Sequence, residues 1–192
     1  MKDKRIILIG AGNVAHHLAP ALLKAGLNLC QIYSRSIESA RELGRKTGIT
    51  YTADLFGIYP DGDIYIFCVS DDVLPSIVKT IRVSENALLL HTSGSQPINK
   101  EAIILHTSGS LPMDIFKPYV TYYGVLYPLQ TFTKKRDLDF KEIPLCIEAS
   151  NPEVLEVLRG LTRLLSVRVE EISSEKRKTL HLAAVFANNF VN

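Results

Sequence analysis

Four apolar residues in succession, Ile6, Ile7, Leu8 and Ile9, follow a polar start and precede a glycine. An unbroken run of that length is the pattern of a parallel strand covered on both faces. Apolar positions resume at helical spacing from Val14 to Leu23, so a helix over Asn13 to Ala25 is expected, with Gly26 at its end and Pro20 as a kink. The alternation continues in the same way. Leu29 to Tyr33 reads as a strand, Ser36 to Lys46 as a capped helix stopped by Gly48, and Ile49 to Thr52 as a short strand. Asp61-Gly-Asp turns the chain into the apolar strand Ile64 to Val69, and a helix from Val73 to Ile81 follows. Further on, Tyr122 to Phe132 is a strand broken by Pro128. Pro144 to Ala149 and Val167 to Ile172 are strands around a helix that opens with Asn151-Pro152-Glu153. Strands alternating with helices predict an α/β chain, a doubly wound and mostly parallel sheet with helices on both faces. Residues 1–172 form that domain. Residues 173–192 read as the first helix of a C-terminal helical domain, because from Leu180 onward the segment is apolar on every side and carries no stop signal. The expectation is a buried helix belonging to a domain cut short at Asn192.

One stretch repeats. Residues 87–97, ALLLHTSGSQP, match residues 102–112, AIILHTSGSLP, at eight of eleven positions. The six residues Gln96 to Glu101 are too few for a parallel crossover, so the two copies are not expected to be neighbouring parallel strands. The expectation is that Leu88 to Leu90 fills the fifth strand position and the second copy is extruded.

The chemistry concentrates at the first turn. Gly10, Gly12 and Ala15 form G-x-G-x-x-A between a strand and a helix. Gly10 permits the tight turn, Gly12 lets a pyrophosphate approach the backbone, and Ala15 lets the helix pack closely on the sheet. Gly10, Ala11, Gly12, Asn13 and Val14 are the expected phosphate-binding residues, since the free amides and positive dipole of the helix start face that loop. At the end of the second strand an NAD site carries an acidic residue for the ribose hydroxyls. Here the sequence is Ser34-Arg35-Ser36, and Arg35 can grip a 2′-phosphate with its planar donor fork. NADP is therefore expected, with NAD possible. Val69, Ser70, His91, Thr92 and Ser93 complete the expected cofactor edge, because ligands lie outside the carboxyl ends of the strands.

Composition excludes other classes. A net charge of +2 gives no footprint for nucleic acid or an anionic membrane, and no apolar run is long enough for a span. Cys30, Cys68 and Cys146 are odd in number and widely spaced, which reads as reduced thiols in a cytoplasmic protein and not as a disulfide framework. His16 and His17 are adjacent and lack a third ligand, so no metal site is expected.

Taken together, GAGNVAHHLA, YSRSIESARELG, CVSDDV, HTSGSLPMD, YGVLYPLQTF and SSEKRKTLHLAAVFANNF resemble the Rossmann-like proteins with a C-terminal DUF2520 domain. These are relatives of pyrroline-5-carboxylate reductase, the deazaflavin-dependent NADP oxidoreductases and the β-hydroxyacid dehydrogenases. The resemblance implies an NAD(P)-binding N-domain and a helical C-domain that forms a homodimer. It supplies no substrate. β-Hydroxyacid dehydrogenases place lysine and asparagine one turn apart on the interdomain helix, whereas Ala184 and Val185 stand four before Asn188 and Asn189 here. His181, seven residues before Asn188 and on the same helical face, is the remaining acid–base candidate. The expected activity is an NADP-dependent oxidoreductase passing hydride between nicotinamide and a small carbonyl or imine. The alternative is a non-catalytic NADP-binding sensor or scaffold.

Overall fold

A computed structural model describes residues 1–83 and 99–190. Eight strands form one sheet in the order β3-β2-β1-β4-β5-β6-β7-β8. They are β1 (Arg5–Ile9), β2 (Asn28–Tyr33), β3 (Thr50–Thr52), β4 (Ile64–Phe67), β5 (Ile103–His106), β6 (Tyr123–Pro128), β7 (Leu145–Ala149) and β8 (Val169–Glu171). The helices are α1 (Asn13–Lys24), α2 (Ile37–Thr47), α3 (Leu74–Val83), α4 (Pro152–Leu165) and α5 (Ser174–Phe190). The architecture is the doubly wound Rossmann-like α/β fold.

The apolar run of β1 is buried along its length, as a central strand hydrogen-bonded on both sides requires. Ile6 and Leu8 join α1, α2 and α4 in one core, while Ile7 and Ile9 join α3 and the residues around Phe116 in the other. Helix ends fall where the local chemistry puts them. Ser36 accepts the Ser39 amide at the start of α2, Gly48 closes it at φ +73°, and Asn151 accepts the Val154 amide at the start of α4. Pro20 stays inside α1.

Two expectations change. The fifth strand is the second copy of the repeat: Ile103–His106 is bonded to β4 on one side and β6 on the other. The pair of β-branched residues Ile103 and Ile104, where the first copy has leucines, favours the pleated strand. Leu111 also packs on the second-face core, where the first copy has the polar Gln96. Leu88 to Leu90, with His91, Thr92 and Ser93, lie outside the described residues. β7 runs antiparallel to β6 and β8 pairs parallel with β7, so the sheet is mostly parallel as expected. Finally, α5 is not buried all round. Leu182, Val185 and Phe186 are exposed, because one side of a lone helix is all the sheet can cover.

The covered side of α5 is held by a buried cation. Arg177, 1% exposed, donates to the Glu148 carboxylate on β7 at 2.5 Å and to the Leu111 carbonyl at 2.6 Å. Glu148 also accepts the amide and hydroxyl of Ser174, and the Ser174 hydroxyl takes the Met113 amide. Helix, strand and the loop after β5 are thus tied at one knot. Arg177→Met should cost about 3 kcal/mol of unfolding free energy in urea titration. That is the low end for breaking a buried pair, because the abandoned Glu148 side chain keeps 19% exposure.

Candidate functional site

The order of strands reverses between β1 and β4, and the crevice beyond their carboxyl ends is where such sheets bind ligands. Gly10 leaves β1 at φ +112°, and a Cβ there would lie 2.4 Å from the Cys68 carbonyl oxygen. Only glycine fits this conformation and this approach. Above Gly12, by contrast, an added Cβ would meet nothing nearer than that same carbonyl at 3.9 Å. Gly12 is the N-cap of α1, and no side chain caps the helix. The first amides of α1, from Asn13 on, are therefore left for an outside acceptor. This open cradle fits a pyrophosphate.

The ends of the neighbouring strands frame the cradle. Ser34 follows β2 with its amide on the Thr52 carbonyl, and Arg35 is exposed beside it. The Ser36 hydroxyl caps α2 and bonds Glu38. After β4 come half-buried Val69, whose Cγ1 approaches Gly10, and exposed Ser70. Asp72 is held below the usual carboxylate range by the Ser70 hydroxyl first, with Arg35 a smaller contributor.

The loop after β5 is a polar cluster. His106 is 1% exposed, and its Nδ1 accepts the Ser108 amide while Nε2 has no partner. Burial pushes it down to about 3, with the Arg177 charge adding to the effect. The Thr107 amide and hydroxyl both donate to the Phe67 carbonyl. The Ser108 hydroxyl takes the Ser110 and Leu111 amides, and Ser110 donates to Asp71 on the β4 loop. These residues fill the place expected of His91, Thr92 and Ser93.

His181 reaches the same edge from α5. Its Nδ1 lies 2.9 Å from the Tyr127 hydroxyl, and its ring stands edge-on to the Tyr127 ring at 5.8 Å. Burial pushes the Tyr127 phenol up to about 12. Asn188 falls within α5, but its side chain lies outside the described residues. Gln130 is exposed and accepts the Thr131 amide, which is turn chemistry.

Neither Tyr127 nor Arg177 stands out in the sequence as a site residue. Tyr127 sits in an apolar strand and Arg177 in the charged run EKRK. The one available signal was the offset of four between Arg177 and His181, which puts them on one helical face. His16 is buried and His17 bonds the Thr133 carbonyl with its ring against Phe132, so both are packing residues. They border a separate groove of about 700 Å³ between α1, residues 137–141 and the end of α4. Among the described residues no group of three His, Cys, Asp or Glu is placed to hold a metal, and no helix is long and apolar enough to cross a membrane. Cys68 and Cys146 are buried free thiols, and Cys30 is half-buried and free.

Two measurements follow from this geometry. Arg35→Ala should weaken NADPH by about 1.5–3 kcal/mol, the worth of hydrogen bonds to a charged group, and leave NADH nearly unchanged in titration calorimetry. Equal losses for both would remove Arg35 from the 2′-phosphate. His106, neutral in the fold, gains its proton more readily on unfolding, so it contributes stability above pH ~6.5 that is lost as pH falls towards 3. That loss should run at about 1.4 kcal/mol per pH unit. Urea titrations at stepped pH should show it in the parent chain and show a shallower slope in His106→Phe.

Comparison with known proteins agrees with the fold and with the use of NADP. The family model described as "NADP oxidoreductase coenzyme F420-dependent" matches residues 5–93, and "Domain of unknown function (DUF2520)" matches residues 143–192. A Bacteroides fragilis protein, provisionally described as an NADP oxidoreductase, is 44% identical over 100% of this chain and 69% of its own, with TM-score 0.86. A Thermotoga maritima protein is 25% identical over 96% of this chain and 64% of its own, with TM-score 0.67. The pyrroline carboxylate reductase of Plasmodium falciparum, solved with NADP bound, shares the fold at 12% identity and TM-score 0.71, covering 100% of this chain and 66% of its own. The chain spans about two thirds of the length of these structures. No protein of curated function matches it. The chain belongs to the NADP oxidoreductase family in which a Rossmann dinucleotide-binding domain is joined to a DUF2520 domain.

Proposed function

We propose that this protein is an NADP-dependent oxidoreductase that passes hydride between nicotinamide and a small carbonyl or imine compound. The observation that carries the reading is the meeting of three elements at one sheet edge. Gly10, before the uncapped start of α1, lies against Cys68 and Val69 after β4, Ser110 of the loop after β5 bonds Asp71 there, and Gly109 of that loop lies against His181 of α5. NADP, when bound, supplies or takes the hydride. The amides of Gly12 to Val14 hold its pyrophosphate, Arg35 and Ser34 hold the 2′-phosphate, and Val69 with Ser70 line the path towards the nicotinamide. His181 donates to the substrate heteroatom as hydride is transferred in reduction, with Asn188 two turns further along the same helical face. Thr107 and Ser108 replace Thr92 and Ser93 in this assignment.

The domain division at residue 172 belongs to the same reading, as does assembly with a second copy in the cytoplasm. Leu182 is 55% exposed and Phe186 54% exposed on α5. Apolar faces of this kind are covered by a partner in stable assemblies, at about 25 cal/mol per Å² buried. Removing residues 172–192 is a poor test of this, since it would also remove Arg177 from Glu148. Substituting Leu182→Glu and Phe186→Glu together should instead reduce self-association by at least about tenfold in light scattering, the effect of roughly 1.4 kcal/mol lost at the interface. An unchanged mass would place the contact elsewhere.

The activity is tested by following NADPH oxidation against a panel of small ketones, aldehydes and cyclic imines. On any substrate found, His181→Ala should lower turnover about a hundredfold or more, with NADPH affinity unchanged. NADPH binding without turnover on the whole panel would favour a sensor.

A further inference from the structure

We propose that Tyr127 is a positioning residue that locks His181 in the tautomer carrying its proton on Nε2. The argument starts from the single proton of the phenol. Tyr127 is only 7% exposed, and among the described residues its hydroxyl has one recorded partner, His181 Nδ1 at 2.9 Å. Were Nδ1 the donor, the phenol proton would have no acceptor among the described residues. A buried O–H left without an acceptor is costly, so the phenol donates and Nδ1 accepts. A neutral imidazole that accepts at Nδ1 must carry its proton on Nε2. That nitrogen is not among the buried unpartnered atoms, whereas His106 Nε2 is. The proton of His181 is therefore carried on the ring nitrogen away from Tyr127.

Two further observations show a site built around this contact. A Cβ on Gly109 would lie 2.6 Å from His181 Cγ and Nδ1 and 2.8 Å from Tyr127 Cζ. The loop after β5 therefore closes on the histidine ring only because residue 109 has no side chain. Arg177, one turn before His181, fixes the height and rotation of α5 through Glu148 and the Leu111 carbonyl. The imidazole is thus gripped by strand, loop and helix. Burial, which pushes the phenol up to about 12, keeps Tyr127 protonated and hence a standing donor.

The proposal rests on the reading of His181 as the group that donates to the substrate heteroatom, which a neutral ring polarises through its Nε2–H, yet its test needs no substrate. Nitrogen-15 NMR of the full chain with NADPH is recorded about 1.5 pH units above the ordinary imidazole value of about 6.5. His181 is assigned by the signal lost in His181→Gln. The Nε2–H form should exceed the Nδ1–H form about tenfold, and in Tyr127→Phe that excess should fall several-fold while NADPH affinity is unchanged. Gly109→Ala, which pushes the ring away from the phenol, should reduce it likewise. A dominant Nδ1–H form in the parent chain overturns the proposal, and that measurement involves no variant. So does an unaltered ratio in Tyr127→Phe. If instead His181→Ala keeps full turnover on a substrate, the catalytic reading fails and the tautomer result still stands.

Discussion

The buried guanidinium of Arg177 is the interaction on which the candidate site depends. A cation with 1% exposure is tolerable only where its charge and donors are met, and Glu148, Ser174 and the Leu111 carbonyl meet most of them. Each partner belongs to a different part of the chain: β7, the first turn of α5 and the loop leaving β5. Such a pair adds little net stability compared with apolar packing, but breaking it leaves a charge stranded. It therefore selects one seating of the helix over others of similar burial. One turn later the same helix face carries His181, so the seating chosen by an ion pair becomes the placement of an acid–base group.

The dinucleotide half of the molecule was legible because its requirements are local. Gly10 must be glycine to take φ +112° against the Cys68 carbonyl, and that need is written in one residue between an apolar strand and an apolar helix. Ser36, Gly48 and Asn151 mark helix ends for equally local reasons.

What was illegible depends on long-range choices. Two near-identical segments competed for one strand position, and the differences that favour the second copy are slight: isoleucines at 103 and 104, and Leu111 in place of a glutamine. Tyr127 and His181 are 54 residues apart, and Arg177 and Leu111 are 66 apart. No periodicity links such pairs. The full apolar wrap of α5 was also ambiguous, since sequence alone does not separate a helix surrounded by its own chain from one that offers a face outward.

The reversal of one strand has a consequence for how α5 is spaced. Because β7 runs against β6 and β8 runs with β7, the chain leaves β8 at the edge away from the cofactor loop, and α5 climbs back along β6. Arg177 grips Glu148, which stands opposite Val125, and His181 meets Tyr127 two residues further up the strand. Four helical residues rise about 6 Å and two strand residues about 6.6 Å, so the two rulers agree over this interval. Insertion of one residue between 177 and 181 would swing the imidazole by about 100° around the helix axis and off the phenol. Substitutions on the outer side of that turn leave the spacing intact, whereas any change of its length destroys it.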